Sequence, residues 1–130
     1  IIIASCLSQL LTYIDLSGVP PERFQEIKQT WPGPSTWVFP ASKQINQFIT
    51  GQFSTVAVRV TAHPVAQALC EAFGALISTS ANLAHNEPLK KGQDVASFFG
   101  DTIAGVVQGE VGALEKPTTI TDAITGKVYR

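Results

Sequence analysis

Three features of this 130-residue sequence predict a mixed α/β fold, a twisted mixed sheet with flanking helices. "TVAVRV" at Thr55 to Val60 alternates at period two; "HPVAQALCEAFG" just after it places apolar residues at helical spacing between a proline and a glycine; "ALIS" from Ala75 is short and apolar again. A strand, a helix and a strand in succession imply a parallel pair or a closely related arrangement, with helices on at least one face of the sheet.

The elements follow in chain order. Ile1 to Ala4 reads as a buried strand and Ser8 to Ile14 as a short helix with Leu10, Leu11 and Ile14 on one side. Pro20-Pro21 pre-sets the first turn of a helix through about Trp31, with Phe24, Ile27 and Trp31 on one face. "WPGPST" ends it, because neither Pro32 nor Pro34 has a backbone N–H to donate. Thr36 to Phe39 is strand-like, and Pro40 to Gly51 is mostly loop with one short helical or turn segment. In the Thr55 to Val60 strand, Val56, Val58 and Val60 face one way and Thr55, Ala57 and Arg59 the other. The next helix has Pro64 at its first position, a stripe of Val65, Ala68, Leu69, Ala72 and Phe73, and Gly74 as its C-terminal cap. Ala75 to Ser78 returns as a strand. A loop from Ala81 to Gly92, a helix near Val95 to Phe99, and strands at Ile103 to Val107, Thr118 to Ile120 and Lys127 to Arg130 complete the chain.

Composition bounds the function. A hydrophobic content of 45% is ample for the core of one compact soluble domain. Nine Lys and Arg against ten Asp and Glu give a net charge of -1 with no block of like charge, which argues against a nonspecific nucleic-acid binder and leaves a local basic surface open. Cys6 and Cys70 show neither metal-ligand spacing nor a disulfide framework, so a reducing, cytoplasmic setting is expected. Apolar runs are far too short for a bilayer span, no signal-peptide pattern is present, and no membrane partner is expected. The sequence opens "IIIAS" and contains no Met, from which an absent N-terminal portion is expected.

Among polar residues, Arg59 stands on the non-valine side of its strand with Thr55 four residues earlier on that side. A guanidinium on a rigid strand grips a carboxylate or phosphate through two parallel hydrogen bonds. The competing reading is an edge-strand arginine in water or paired with a surface acid. Ser78, Thr79, Ser80 and Asn82 in "STSAN" sit where a strand runs out, the usual ligand position in open α/β sheets, and the alternative is a Ser/Asn-rich turn capping its own backbone. Thr118, Thr119 and Arg130 are further polar candidates. His63 and His85 have no partner at ligand spacing, and His63 before Pro64 reads as a packing or capping residue. No serine has the setting of a nucleophile elbow, and neither a Walker A motif nor a dinucleotide-binding glycine fingerprint is present. Trp31 and Trp37 read as core packing before a base-stacking surface.

"WPGPSTWVFP", "TVAVRVTAHPVAQAL" and "STSAN", in this order and spacing, closely resemble the YrdC-like family in its short single-domain bacterial form. The resemblance implies that residues 1–130 are a partial YrdC-like domain lacking its N-terminal segment. It implies an enzyme that takes ATP, L-threonine and bicarbonate, with Mg²⁺, and makes L-threonylcarbamoyladenylate and diphosphate. Partner proteins then transfer the threonylcarbamoyl group to the adenosine just after the anticodon in tRNAs, giving threonylcarbamoyladenosine (t6A). By the same resemblance Arg59 contacts the threonine side of the intermediate with Thr118 near it; Thr55 and Arg130 contact ATP, and Ser80 and Asn82 the nucleotide and phosphates. No side chain is implied as a nucleophile, so the chemistry is one of positioning.

Two departures stand beside the resemblance. The family carries a Thr-rich strand and a Lys-x-Arg motif upstream of the first match here, so a protein of Ile1 to Arg130 alone is expected to be inactive or nearly so. In the loop from Leu83 to Lys91, Lys90 falls where some relatives place a small hydroxyl, and no role carries over to it. A second reading is an RNA-binding or ribosome-associated module of the same fold without synthase activity; a third is a carbamoyl-transfer domain of the hydrogenase-maturation type. All these expectations meet in one geometric statement: Arg59's side of its strand and the Ser78 to Asn82 segment border one anion-holding cleft.

Overall fold

The computed structural model describes residues 1–109, 111–112 and 118–130. By their contacts these form two units, one of Ile1–Ser78 with the C-terminal residues through Arg130, the other beginning at Thr79.

The first unit holds a five-stranded sheet of β1 (Ile2–Ala4), β2 (Thr36–Pro40), β3 (Thr55–Val60), β4 (Leu76–Ile77) and β5 (Ile120–Asp122), in the order β4-β1-β3-β2-β5. β1 is parallel to β3 and β5 to β2, while β2 with β3 and β1 with β4 are antiparallel. The sheet is therefore mixed, as the sequence predicts. β3, whose alternation is the cleanest, is the central strand, which is what flanking by a partner on each side requires of a strand buried on one face and half-buried on the other.

The core lies on the valine side of β3. Val56, Val58 and Val60 are buried with Ile2, Ala4, Trp37 and Phe39 of the neighbouring strands. The helix α1 (Pro21–Gln29) seals this face: Pro21 starts it, Ile27 is fully buried, and Phe24 and Trp31 bring their rings to 6.5 and 6.3 Å from Phe39. The chain between α1 and β2 is fixed by Gly33, whose amide donates to Val60 O at 2.9 Å; a Cβ there would collide with the Thr30 carbonyl. That close approach is the physical content of "WPGP". Both indoles are core elements with satisfied N–H groups, Trp31 Nε1 donating to Ser35 O at 2.8 Å and Trp37 Nε1 to Thr30 Oγ1 at 3.0 Å.

α2 (Gln47–Thr50) is the short segment expected before Gly51, capped by the Asn46 side chain, which accepts from Phe48 N at 2.9 Å. α3 (Pro64–Phe73) follows β3, with the His63 ring nitrogen accepting from Ala66 N and Gly74 at φ 84° closing the far end. In the second unit, α4 (Gly92–Phe99) runs into a 3-10 turn at Gly100–Thr102, and Leu89 N donates to Ala81 O at 3.0 Å to close the preceding loop. No helix among the described residues is long and apolar enough to cross a membrane.

Five expectations are corrected. The Ser8 to Ile14 helix is a single 3-10 turn, Leu7–Gln9, followed by turns; Leu10 and Ile14 are buried but Leu11 is exposed, because Ile14 leaves helical geometry to bridge Ala41. The buried residue of α3 is Cys70, and Phe73 is 75% exposed, since the helix meets β1 through the face on which Cys70 Sγ approaches Ile3 O at 3.6 Å. β4 is antiparallel to β1 and hence runs against β3, with β1 between them, so the strand-helix-strand unit is not a parallel pair. Strand direction is set by the pairing partner, which alternation within one strand does not encode. Ile103 to Val107 is not a strand: Gly105 lies in open space and no ladder partner is described for this segment. The Thr118 to Ile120 strand is shifted to Ile120–Asp122, and Lys127 to Arg130 is not a strand but folds back on it through a single bridge from Val128 to Thr121.

Candidate functional site

The side of β3 opposite the core carries Thr55, Ala57 and Arg59, all half-buried. Register places the neighbours. One step beyond the Trp37–Val58 pair sets Thr36 directly across from Arg59 on β2, and Ile3 pairs with Arg59 on β1. Thr36 in turn pairs with Ile120 of β5, two residues after Thr118. The sheet thus delivers Thr118 to Arg59 although the two are far apart in sequence.

Their contact is direct. Arg59 Nη1 donates to Thr118 Oγ1 at 3.0 Å, and Thr118 Oγ1 lies 3.4 Å from Thr36 Oγ1. No carboxylate pairs with Arg59 among the described residues; the ion pair they contain is Arg23 with Glu26, on α1. Arg59 Nε is shielded from water and has no hydrogen-bond partner among the described residues. Burial pulls the Arg59 guanidinium below its ordinary pKa, the direction expected for a cation that has lost water and gained no counter-charge. A desolvated cation with an unused N–H is costly to the free protein, and an anion that pairs with it recovers that cost. The arrangement can pair with a negatively charged group, and because β3 is central the reading of Arg59 as an edge-strand residue fails.

Thr55 opens β3 on the same side; four residues at a strand's rise separate it from Arg59 by about 13 Å. Two ends of an extended ligand, not one small anion, fit that separation. Arg130 is exposed at the end of the segment folded back on β5, its carbonyl accepting from Ile120 N at 2.9 Å. Ser78 ends the first unit, its amide donating to Ile1 O at 2.8 Å, and register sets it on the Arg59 side of the sheet, one step past the Ile2–Ile77 pair. Ser80 and Asn82 belong to the second unit. Ser80 is exposed; Asn82 Nδ2 donates to Leu83 O at 2.9 Å, while its Oδ1 is shielded with no partner among the described residues. The structure therefore brings Arg59 and Thr118 into contact, sets Thr55 on their face, and leaves Ser80 and Asn82 in a unit described by itself.

Sequence reasoning missed Thr36. It is fully buried, yet in "WPGPSTWVFP" it looks like the first residue of an ordinary strand. The signal was its parity: it alternates with Trp37, so once Trp37 faces the core Thr36 must face the other way.

The family model Sua5_yciO_yrdC, whose description reads "Telomere recombination", matches residues 1–130. The chain belongs to the Sua5/YciO/YrdC family. A curated member from Aliivibrio fischeri, "Threonylcarbamoyl-AMP synthase", is 48% identical over 131 residues, covering 100% of this chain and 71% of its own length. Among solved structures, P. abyssi Sua5 complexed with L-threonine superposes with TM-score 0.82 at 30% identity, over 93% of this chain and 35% of that one. E. coli YciO does so with TM-score 0.69 at 29% identity, over 93% and 58%. The chain thus spans about a third of the Sua5 chain it superposes on, and the Sua5/YciO/YrdC fold accounts for the mixed sheet with β3 at its centre.

Proposed function

We propose that this chain belongs to an L-threonylcarbamoyladenylate synthase and that the Arg59 side of its sheet holds the threonine moiety. The observation that carries the reading is the desolvated, acid-free Arg59 guanidinium on the open side of the central strand, hydrogen-bonded to Thr118 and with Nε unused. An amino-acid carboxylate is the group that best matches a fork of N–H donors beside a hydroxyl. The likeness to a Sua5 crystallised with L-threonine and to curated threonylcarbamoyl-AMP synthases supports the same choice.

The reaction asks the protein mainly to position. The amine of L-threonine attacks bicarbonate, forming a C–N bond and losing water to give the carbamate. A carbamate oxygen then attacks the α-phosphorus of ATP, and the bond to the β-phosphate oxygen breaks to release diphosphate. Carboxylate, carbamate and triphosphate repel one another, so most of the barrier lies in holding them close. Arg59 neutralises the carboxylate and Thr118 orients it. Thr55, about 13 Å along the strand, and Arg130 serve the ATP end, and Ser80 and Asn82 offer uncharged hydrogen bonds to the nucleotide and its phosphates. Among the described residues no three His, Cys, Asp or Glu side chains cluster as a metal site. The described residues thus offer no ready-made Mg²⁺ site of their own. On this reading the product serves t6A formation on tRNA by partner transfer proteins, and the protein works in the cytoplasm.

The test is diphosphate release by the full-length gene product with ATP and bicarbonate, with and without L-threonine. Threonine-dependent release is expected. Threonine-independent turnover, or RNA binding with no release at all, sinks the reading.

A further inference from the structure

We propose that Thr36 is a positioning residue that turns the Thr118 hydroxyl into an outward donor for the bound anion; this rests on the reading of the Arg59 side of the sheet as the threonine site. Thr36 is fully buried, and its hydroxyl has Thr118 Oγ1 as its partner among the described residues, at 3.4 Å. Its backbone is fixed independently, the amide donating to Thr119 O at 3.0 Å, so the side chain is not needed to pair β2 with the Thr118 segment.

Proton counting assigns the direction. A hydroxyl has one proton to give and two lone pairs to receive with. Arg59 Nη1 has only protons to give, so Thr118 Oγ1 accepts from it. Were Thr118 to spend its own proton on Thr36, the buried proton of Thr36 would have no acceptor, and an unsatisfied buried donor is expensive. The arrangement that satisfies every group has Thr36 donating to Thr118. Both lone pairs of Thr118 are then filled, by Arg59 and by Thr36, and its own proton can only point away from both. An oxyanion receiving from Thr118 O–H completes that hydroxyl's set and stands beside the Arg59 charge, an attraction that a neutral acceptor does not gain.

The experiment measures equilibrium binding of L-threonine, and the KM of each substrate, for full-length wild type, Thr36→Val, Thr36→Ser, Thr118→Val and the Thr36→Val/Thr118→Val pair. Valine keeps the buried shape and removes the donor, so the fold and melting temperature should hold, and circular dichroism checks this. Thr36→Val is expected to weaken L-threonine binding about tenfold, the scale of one lost hydrogen bond to a charged group, while kcat and the KM for ATP stay within about twofold. Thr36→Ser restores binding, and Thr36→Val adds nothing once Thr118 is valine, since the effect passes through Thr118. Unchanged binding in Thr36→Val, an equal loss toward ATP, failure of serine to rescue, or additive losses in the pair overturns the proposal. Wild type that binds no L-threonine overturns the site reading, and this inference with it.

Discussion

The two sides of β3 share one backbone and differ in everything else. On one, Val56, Val58 and Val60 are buried against α1, β1 and β2. On the other, Thr55, Ala57 and Arg59 are half-buried, and Arg59 keeps an N–H that nothing in the described protein uses. The valine side is satisfied by the fold; on the proposed reading the arginine side is satisfied by a ligand. Period-two geometry permits this division of labour, since a change at one residue need not disturb its neighbour on the opposite face. If the division holds, substitutions on the core side move stability and those on the open side move substrate kinetics, with little crossing between the two.

The largest effect belongs to the core. Phe39 is fully buried between the rings of Phe24 and Trp31, and Phe39→Ala removes that packing and leaves a cavity. A loss of about 4 kcal/mol in unfolding free energy is expected, measured by urea denaturation, with the KM for L-threonine unchanged in whatever fraction stays folded. A large KM change at preserved stability would break the comparison from the core side. Next is Arg59→Ala, expected to lower threonine-dependent diphosphate release at least about 100-fold, in line with loss of one preorganised charge-stabilising donor. Its melting temperature should not fall, and a rise fits removal of a desolvated, unpaired cation. Arg59→Lys should recover only part of the activity, because an ammonium lacks the planar fork. Collapse of the fold in Arg59→Ala would mean that the residue is structural and the two sides are not separate.

Val58→Ala sharpens the comparison at the residue next to Arg59. Val58 is fully buried, and losing two methyl groups there should cost about 2 kcal/mol with kcat/KM at 25 °C within about twofold of wild type. A drop in kcat/KM approaching that of Arg59→Ala would show that β3 transmits core packing into the site.

How much of this was legible follows from the range of each interaction. The alternation of Thr55 to Val60, Pro21 and Pro64 at helix starts, and Gly74 at a helix end are local, and each appears where the sequence places it. What failed depends on partners distant in the chain. The direction of β4 is dictated by β1, the buried face of α3 by which side meets β1, and for Ile103 to Val107 no ladder partner is described. The site divides in the same way. Arg59 stood out because a charge in a valine run is a local anomaly; Thr118 came from family resemblance and from being polar after a proline; Thr36 carried no anomaly. The contact among the three exists only because β3, β2 and β5 stand side by side.

The smallest predicted effect tests whether the open side is one surface with two ends. Thr55 begins β3 about 13 Å from Arg59, on the same side and half-buried, which suits the nucleotide end of an extended ligand. Thr55→Val keeps the shape and β-propensity and removes one hydroxyl. Since a single neutral hydrogen bond is worth about 1 kcal/mol, the KM for ATP should rise about fivefold while the KM for L-threonine and the melting temperature hold. Arg59→Lys should show the opposite pattern, raising the KM for L-threonine and sparing that for ATP. If both variants raise both constants together, the two residues serve one undivided anion site, and the assignment of threonine to one end of β3 and nucleotide to the other is wrong.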